Sequence, residues 1–179
     1  MASPTIELET FLPYRLSVLA NVTSNAIAAA YEERFELTIP EWRVIAVLSR
    51  YPGLSAREVA EKTRMDAVAV SRAVNRLLRA GRLRRAVATD DRRRSVLQVS
   101  AAGAAVYRNV APLAIEFERS LLEAIDPADR AVLTRIIGVL TQRAETLSAS
   151  LRAEPESRRR ARRLPVDANS SNTARRENK

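Results

Sequence analysis

Between Leu54 and Gly103 the apolar side chains change from the three-to-four spacing of helices to short runs rich in branched residues, and this order limits the possible folds. Ser55 and Glu58 form an S-x-x-E capping box that predicts a short helix from Ala56 to about Lys62, with Val59 and Ala60 facing inward. Asp66 caps the next segment. From Ala67 to Ala80 the residues Val70, Val74, Leu77 and Leu78 make a buried stripe, and Gly81 supplies a left-handed stop. Beyond it, RLRRAVAT and SVLQVS are β-compatible runs flanking the polar stretch Asp90 to Arg94. Two helices joined by a short turn are therefore followed by a hairpin, whose positive loop is longer than a tight two-residue turn and protrudes from the core.

The flanking segments read as helices. Phe11 to Phe35 has helical spacing, no glycine and one proline, Pro13, in its first turn, which predicts a single long helix. Thr38 and Glu41 form a second capping box, with Pro40 in the first turn, for a helix ending at Tyr51 before Pro52 and Gly53. Ser100 caps a helix from Ala101 to Ala124, and Asp126, Pro127 and Asp129 open another that runs to about Ser150. After Leu151 the apolar periodicity stops. The SRRRARR run and the polar residues behind it predict a tail that is disordered when free. The fold class expected is mainly α with a small β-hairpin wing. Four glycines and 4% aromatic residues agree with it, being few for an all-β chain.

Cysteine and histidine are both absent, which removes disulfides, thiolate nucleophiles, Cys/His zinc sites and imidazole acid–base chemistry. No cofactor and no metal site is expected. The opening MASPTIELET carries acids rather than an arginine-rich leader. No apolar run approaches the roughly 18 residues of a membrane span, so the expectation is a cytoplasmic chain without a membrane partner. The net charge of +9 is uneven: residues 76 to 94 carry +6, residues 151 to 179 carry +5, and the remainder is slightly acidic. A compact basic patch attracts phosphate more strongly than scattered charge does.

Helix, turn, helix and basic hairpin together make a device for double-stranded DNA. The helix from Ala67 can enter the major groove while the hairpin reaches an adjacent groove or the backbone. Its outward set is Ala67, Ala69, Ser71, Arg72, Asn75 and Arg76. Arg72 is the leading base reader, because a guanidinium donates two parallel bonds to guanine. On the hairpin, Arg85, Arg92, Arg93 and Arg94 are the candidate contacts.

The string LSAREVAEKTRMDAVAVSRAVNRLLRAGRLRRAVATDDRRRSVLQVSAAG, from Leu54 to Gly103, resembles the winged helix-turn-helix of MarR regulators. The likeness rests on the S-R of the recognition helix, the D-x-R at Asp91 and Arg93, and VSAAG at the usual strand end and helix start; it extends more loosely from Phe11 to Ala149. Arg82, Gln98 and Val99 depart from the pattern, Arg82 standing where the family often has an apolar residue. The resemblance implies that Arg92 enters the minor groove, where narrow A·T-rich stretches concentrate negative potential. It also implies that Arg93 pairs with Asp91 to stiffen the wing. It further implies a bacterial regulator at the nucleoid, a homodimer on a pseudo-palindromic operator, and an order of segments along the chain. That order is an arm over 1–10, a dimerisation helix over 11–37, the DNA-binding domain over 38–100, dimerisation helices over 101–151 and a basic tail over 152–179. Family members commonly hold a small molecule between the dimer helices and the DNA-binding lobe. FLPYRLSVLAN resembles the subset tied to aromatic-acid catabolism, whose effectors are phenolic acids or aromatic acyl-CoA thioesters. Tyr14, Arg15, Ser17 and Asn21, with Ser24 on the same stripe and Trp42 and Arg43 on the next helix, are the candidate lining for a small aromatic effector that releases a repressor.

Each feature has a plainer reading. The hairpin charge also suits a solvated loop, the stripe suits hydrated surface or a dimer contact, Trp42 suits the core, and the tail suits either a DNA clamp or a solubility segment. A sequence-blind architectural DNA protein would share the charge. A helical enzyme would have to use Glu32, Glu33, Glu116, Glu118 or Glu123, which lie at spacings of solvated faces with no phosphate loop nearby.

Overall fold

Four of the helices begin at caps that the sequence names, Thr38, Ser55, Asp66 and Ser100. In the computed structural model, which describes residues 5–87 and 95–153, the order is α1 (Leu12–Ala29), α2 (Glu32–Phe35), α3 (Ile39–Arg50), α4 (Ala56–Thr63), α5 (Ala67–Arg79), β1 (Leu83–Val87), β2 (Ser95–Val99), α6 (Ala101–Leu122) and α7 (Pro127–Ala153). The chain divides into two units, Met1–Ala124 and Ile125–Lys179. The Asp90 to Arg94 loop and the tail beyond Ala153 lie outside the described residues.

In the first unit, Thr38 donates both its backbone N–H and its hydroxyl to Glu41 Oε2, each at 2.8 Å, and so starts α3. Ser55 N–H donates to Glu58 Oε2 at 2.7 Å and Ser55 Oγ accepts from Glu58 N–H at 3.3 Å, which starts α4. Asp66 Oδ1 accepts from the N–H groups of Val68 and Ala69 at 2.9 and 3.0 Å. At the far end of α5, Gly81 takes φ +66°. The N–H groups of Gly81 and Arg82 then turn back to the carbonyls of Leu78 and Leu77, closing the helix in a Schellman pattern.

The long first helix expected over Phe11–Phe35 is two helices. No proline or glycine breaks it; Tyr31 does, at φ −130° and ψ −18°. The N–H groups of Ala30 and Tyr31 bond to the carbonyls of Ile27 and Ala28, a tightened final turn. The break sends the Tyr31 ring inward, 1% exposed, with its centroid 5.8 Å from that of Trp42. Burying a large aromatic side chain outweighs the helical bonds given up at the break.

One core gathers Tyr31, Leu37, Val44, Ile45, Leu48, Val59, Val70, Val74, Leu77, Leu83, Leu97 and Val110. Each such side chain contributes roughly 1.5–3 kcal/mol by leaving water. β1 and β2 pair antiparallel, with Leu83 opposite Val99, Arg84 opposite Gln98 and Arg85 opposite Leu97. On the other edge of β2, Leu97 exchanges backbone bonds with Gly53 and Leu54. Ser100 Oγ accepts from Gly103 N–H and donates to the Gly81 carbonyl, so the end of α5 and the start of α6 are tied by one hydroxyl. α6 stops at Leu122, short of the expected Ala124, and passes through Pro112.

In the second unit, α7 continues three residues past the expected Ser150, and residues 131–152 are all exposed, Ile136, Ile137, Leu140 and Leu147 among them.

Candidate nucleic-acid interface

The turn between α4 and α5 is made by residue chemistry. Arg64 closes α4 in the left-handed region at φ +54°. The Thr63 hydroxyl donates to the Val59 carbonyl at 2.8 Å and accepts from Met65 N–H at 3.3 Å. Asp66 then restarts the chain as α5, which buries Val70, Ala73, Val74 and Leu77 against α3 and α4. Leu78, expected in that stripe, is half-buried, and Ala73 replaces it on the buried face.

The opposite face carries the expected outward residues. Ala67, Ser71, Arg72, Asn75 and Arg76 are exposed, and Ala69 is half-buried. Arg72 makes no hydrogen bond or ion pair with any described residue, so its guanidinium keeps its full donor set. Arg76 differs: its Nε sits 2.9 Å from Oε1 of the buried Glu41, while 55% of its side chain stays exposed. Arg85 is exposed on β1, whereas Asp91, Arg92, Arg93 and Arg94 fall outside the described residues. Sequence reasoning missed Val68, which is 54% exposed in the first turn of α5. The signal was present, because Val68 falls off the stripe set by Val70, Val74 and Leu77. Arg82, which stands where the family often has an apolar residue, donates to the Phe35 carbonyl at the end of α2.

The candidate ligand residues are partly brought together. Arg43 donates to Ser24 Oγ at 2.8 Å, joining α3 to the polar stripe of α1. Tyr14, Arg15, Ser17 and Asn21 are exposed along the same helix. Trp42 stands between Tyr31 and Tyr107, 5.9 Å and 22° from the latter. A cleft of about 390 Å³ runs past Asn25, Ala29, Glu32 and Thr38, and one of about 400 Å³ lies at the root of the wing; Tyr14, Arg15, Ser17, Asn21, Trp42 and Arg43 line neither. Burial lifts the Tyr31 phenol to about 12, against the pull of the nearby Arg43 cation and with a smaller push from Glu32.

Of the glutamates available to an enzyme, Glu116 is paired with Arg119, and Glu32, Glu33, Glu118 and Glu123 are exposed. Among the described residues no group of acids could hold a metal ion, and no helix is long and apolar enough to cross a membrane.

A capped helix-turn-helix backed by an antiparallel hairpin defines the class: a winged helix-turn-helix. A family model described as MarR family matches residues 35–94. No curated protein matches. Among solved structures, the chain is similar to a MarR/EmrR family transcriptional regulator from Acinetobacter sp. ADP1, with 26% identity, 79% of this chain and 99% of that one covered, and a TM-score of 0.73. It is also similar to the PcaV transcriptional regulator from Streptomyces coelicolor, solved with its natural ligand, at 26% identity, the same coverage and a TM-score of 0.63. BpsR from Bordetella bronchiseptica, whose DNA binding is regulated by 6-hydroxynicotinic acid, shares the fold at 18% identity, with 78% and 98% covered and a TM-score of 0.66. Residues 35–94 thus match the MarR family in sequence, and the described chain has the fold of MarR-family transcriptional regulators.

Proposed function

We propose that this protein is a homodimeric, sequence-specific repressor that releases a pseudo-palindromic operator when a small aromatic acid or its acyl-CoA thioester binds. The observation that carries the reading is the outward face of α5, where Arg72 stands exposed and without a described partner on a helix anchored by Val70, Val74 and Leu77. Ala67, Ala69, Ser71 and Asn75 frame it, Arg76 adds a side chain that stays 55% exposed beside its Glu41 pair, and Arg85 with Arg92, Arg93 and Arg94 is assigned to the wing. A bidentate arginine–guanine contact contributes about 1–3 kcal/mol of base discrimination. A DNA partner sets its work in the bacterial cytoplasm, at the nucleoid.

The dimer is supported by apolar surface that an isolated chain leaves in water. Leu12, Leu16 and Leu19 are exposed on α1, and Ile136, Ile137, Leu140 and Leu147 are exposed on α7. Apolar faces of this extent mark protein interfaces. In the proposed division, residues 11–37 and 101–151 serve dimerisation and residues 38–100 bind DNA. A two-fold axis would then present two recognition helices about 34–36 Å apart. Effector contact is assigned to Tyr14, Arg15, Ser17, Asn21, Trp42 and Arg43, with the Arg43–Ser24 bond holding the stripe against α3. PcaV, a fold relative at 26% identity solved with its natural ligand, supports a small-molecule response.

A mobility shift on the DNA upstream of the protein's own gene, against random duplex, tests the reading. Repeating it with hydroxycinnamates, benzoates and their CoA thioesters tests the effector. The expected result is binding at least 10³-fold tighter than to random DNA, lost on adding one of the acids. Equal affinity for both duplexes would leave a sequence-blind architectural protein instead.

A further inference from the structure

We infer that the cleft at the root of the wing is a second small-molecule site, built for a carboxylate that also carries a hydroxyl or N–H donor. The cleft has a volume of about 400 Å³ and is bounded by the end of α3, the paired strands and the first turns of α6. None of the residues assigned to the effector stripe lines it.

Its lining specifies the ligand. Arg84 and Arg108 are both exposed, neither has an acidic partner among the described residues, and no carboxylate lines the cleft. Two cations facing one small space repel each other in water and are relieved by an anion, which guanidinium groups bind through paired N–H donors. Opposite Arg84 in the hairpin register stands Gln98. Its Oε1 is buried and receives no hydrogen bond among the described residues. A desolvated acceptor without a donor is costly, so a ligand that brings an O–H or N–H to it gains what a plain anion does not. Leu48, Val99 and the Tyr107 ring supply apolar walls for the body between the two polar ends.

The site also has a built-in reporter. Tyr107 is stacked on Trp42, the single tryptophan of the chain, so filling the cleft alters the indole environment.

The test uses the full-length protein and 4-hydroxybenzoate, with benzoate as the probe lacking the donor and 4-hydroxybenzamide as the probe lacking the charge. Binding is followed by calorimetry and by Trp42 emission. The wild type is expected to prefer 4-hydroxybenzoate over both others. R84Q combined with R108Q should weaken it at least tenfold, and Q98L should abolish the preference over benzoate. Arg57→Ala, at an exposed residue of α4 outside both the cleft and the effector stripe, should leave all three affinities unchanged. The inference is overturned if the wild type binds none of the probes, or if R84Q/R108Q binds 4-hydroxybenzoate as the parent does. It is equally overturned if that double variant loses only DNA affinity, which would give the arginines to phosphate. None of these outcomes touches the operator reading, which the mobility shift decides separately.

Discussion

Nε of Arg76 and Oε1 of Glu41 meet at 2.9 Å, tying the recognition helix to the first turn of α3. The other oxygen of that carboxylate takes the Thr38 N–H and hydroxyl, so one buried acid starts one helix and fixes another. Arg76→Ala would leave the carboxylate buried without its cation. The expected cost is about 2 kcal/mol, below the ~3–5 kcal/mol of a fully buried pair because the guanidinium is half in water. Thermal denaturation should show a Tm lowered by about 4–8 °C. An unchanged Tm together with altered base preference would return Arg76 to the base readers.

Arg72 and Val68 should behave in the opposite manner. Both are exposed on α5 and hold nothing in the described fold, so Arg72→Ala and Val68→Ser should leave Tm within about 1 °C. Arg72→Ala is expected to weaken the specific duplex by about tenfold to a hundredfold, while affinity for random DNA falls much less. Val68→Ser removes apolar contact suited to a thymine methyl and should cost about 1 kcal/mol, or about fivefold. Fluorescence anisotropy on the two duplexes measures both.

Gly103→Ala reverses the usual helix preference. Alanine inside a helix normally gains about 1 kcal/mol over glycine. Here a Cβ would come to 2.2 Å from the Arg82 carbonyl oxygen and 2.9 Å from Val99 Cγ1, and the first of these is backbone that cannot swing aside. Urea unfolding should register a net loss of about 1–3 kcal/mol. A stabilised variant would mean that α6 can start elsewhere.

Tyr31 links stability to alkaline pH. Its phenol is raised from 10 to about 12 in the folded chain, chiefly by burial, so the folded state holds the proton more tightly than the unfolded one. The stabilisation is whole below pH 10 and is lost as pH rises through about 12. Urea midpoints measured between pH 9 and 12 should therefore fall more steeply for the wild type than for Tyr31→Phe. Identical slopes would mean that the ring is accessible to water.

Much of the winged helix-turn-helix was legible because its signals are local. Ser55 with Glu58, Thr38 with Glu41, Asp66 and Gly81 each act within one turn of a helix, and each is found where the sequence puts it. The outward position of Arg72 followed from the same periodicity. Val68 was equally readable, since it falls off the apolar stripe of Val70, Val74 and Leu77. The long helix over Phe11–Phe35 was misread because nothing near Tyr31 interrupts it; the interruption comes from Trp42, on the next long helix.

Local caps and spacing, then, determined where α3, α4, α5 and α6 start, which residues of α5 face outward, and that a hairpin follows the second helix of the pair. Only the tertiary structure decided that Arg76 is held by Glu41, that Gly103 must lack a side chain beneath the Arg82 carbonyl, and that Arg84, Gln98 and Arg108 share one cleft. Periodicity fixes the direction in which a side chain points along its own element. What it meets there depends on segments distant in sequence, and their approach is set by the packing of the whole core.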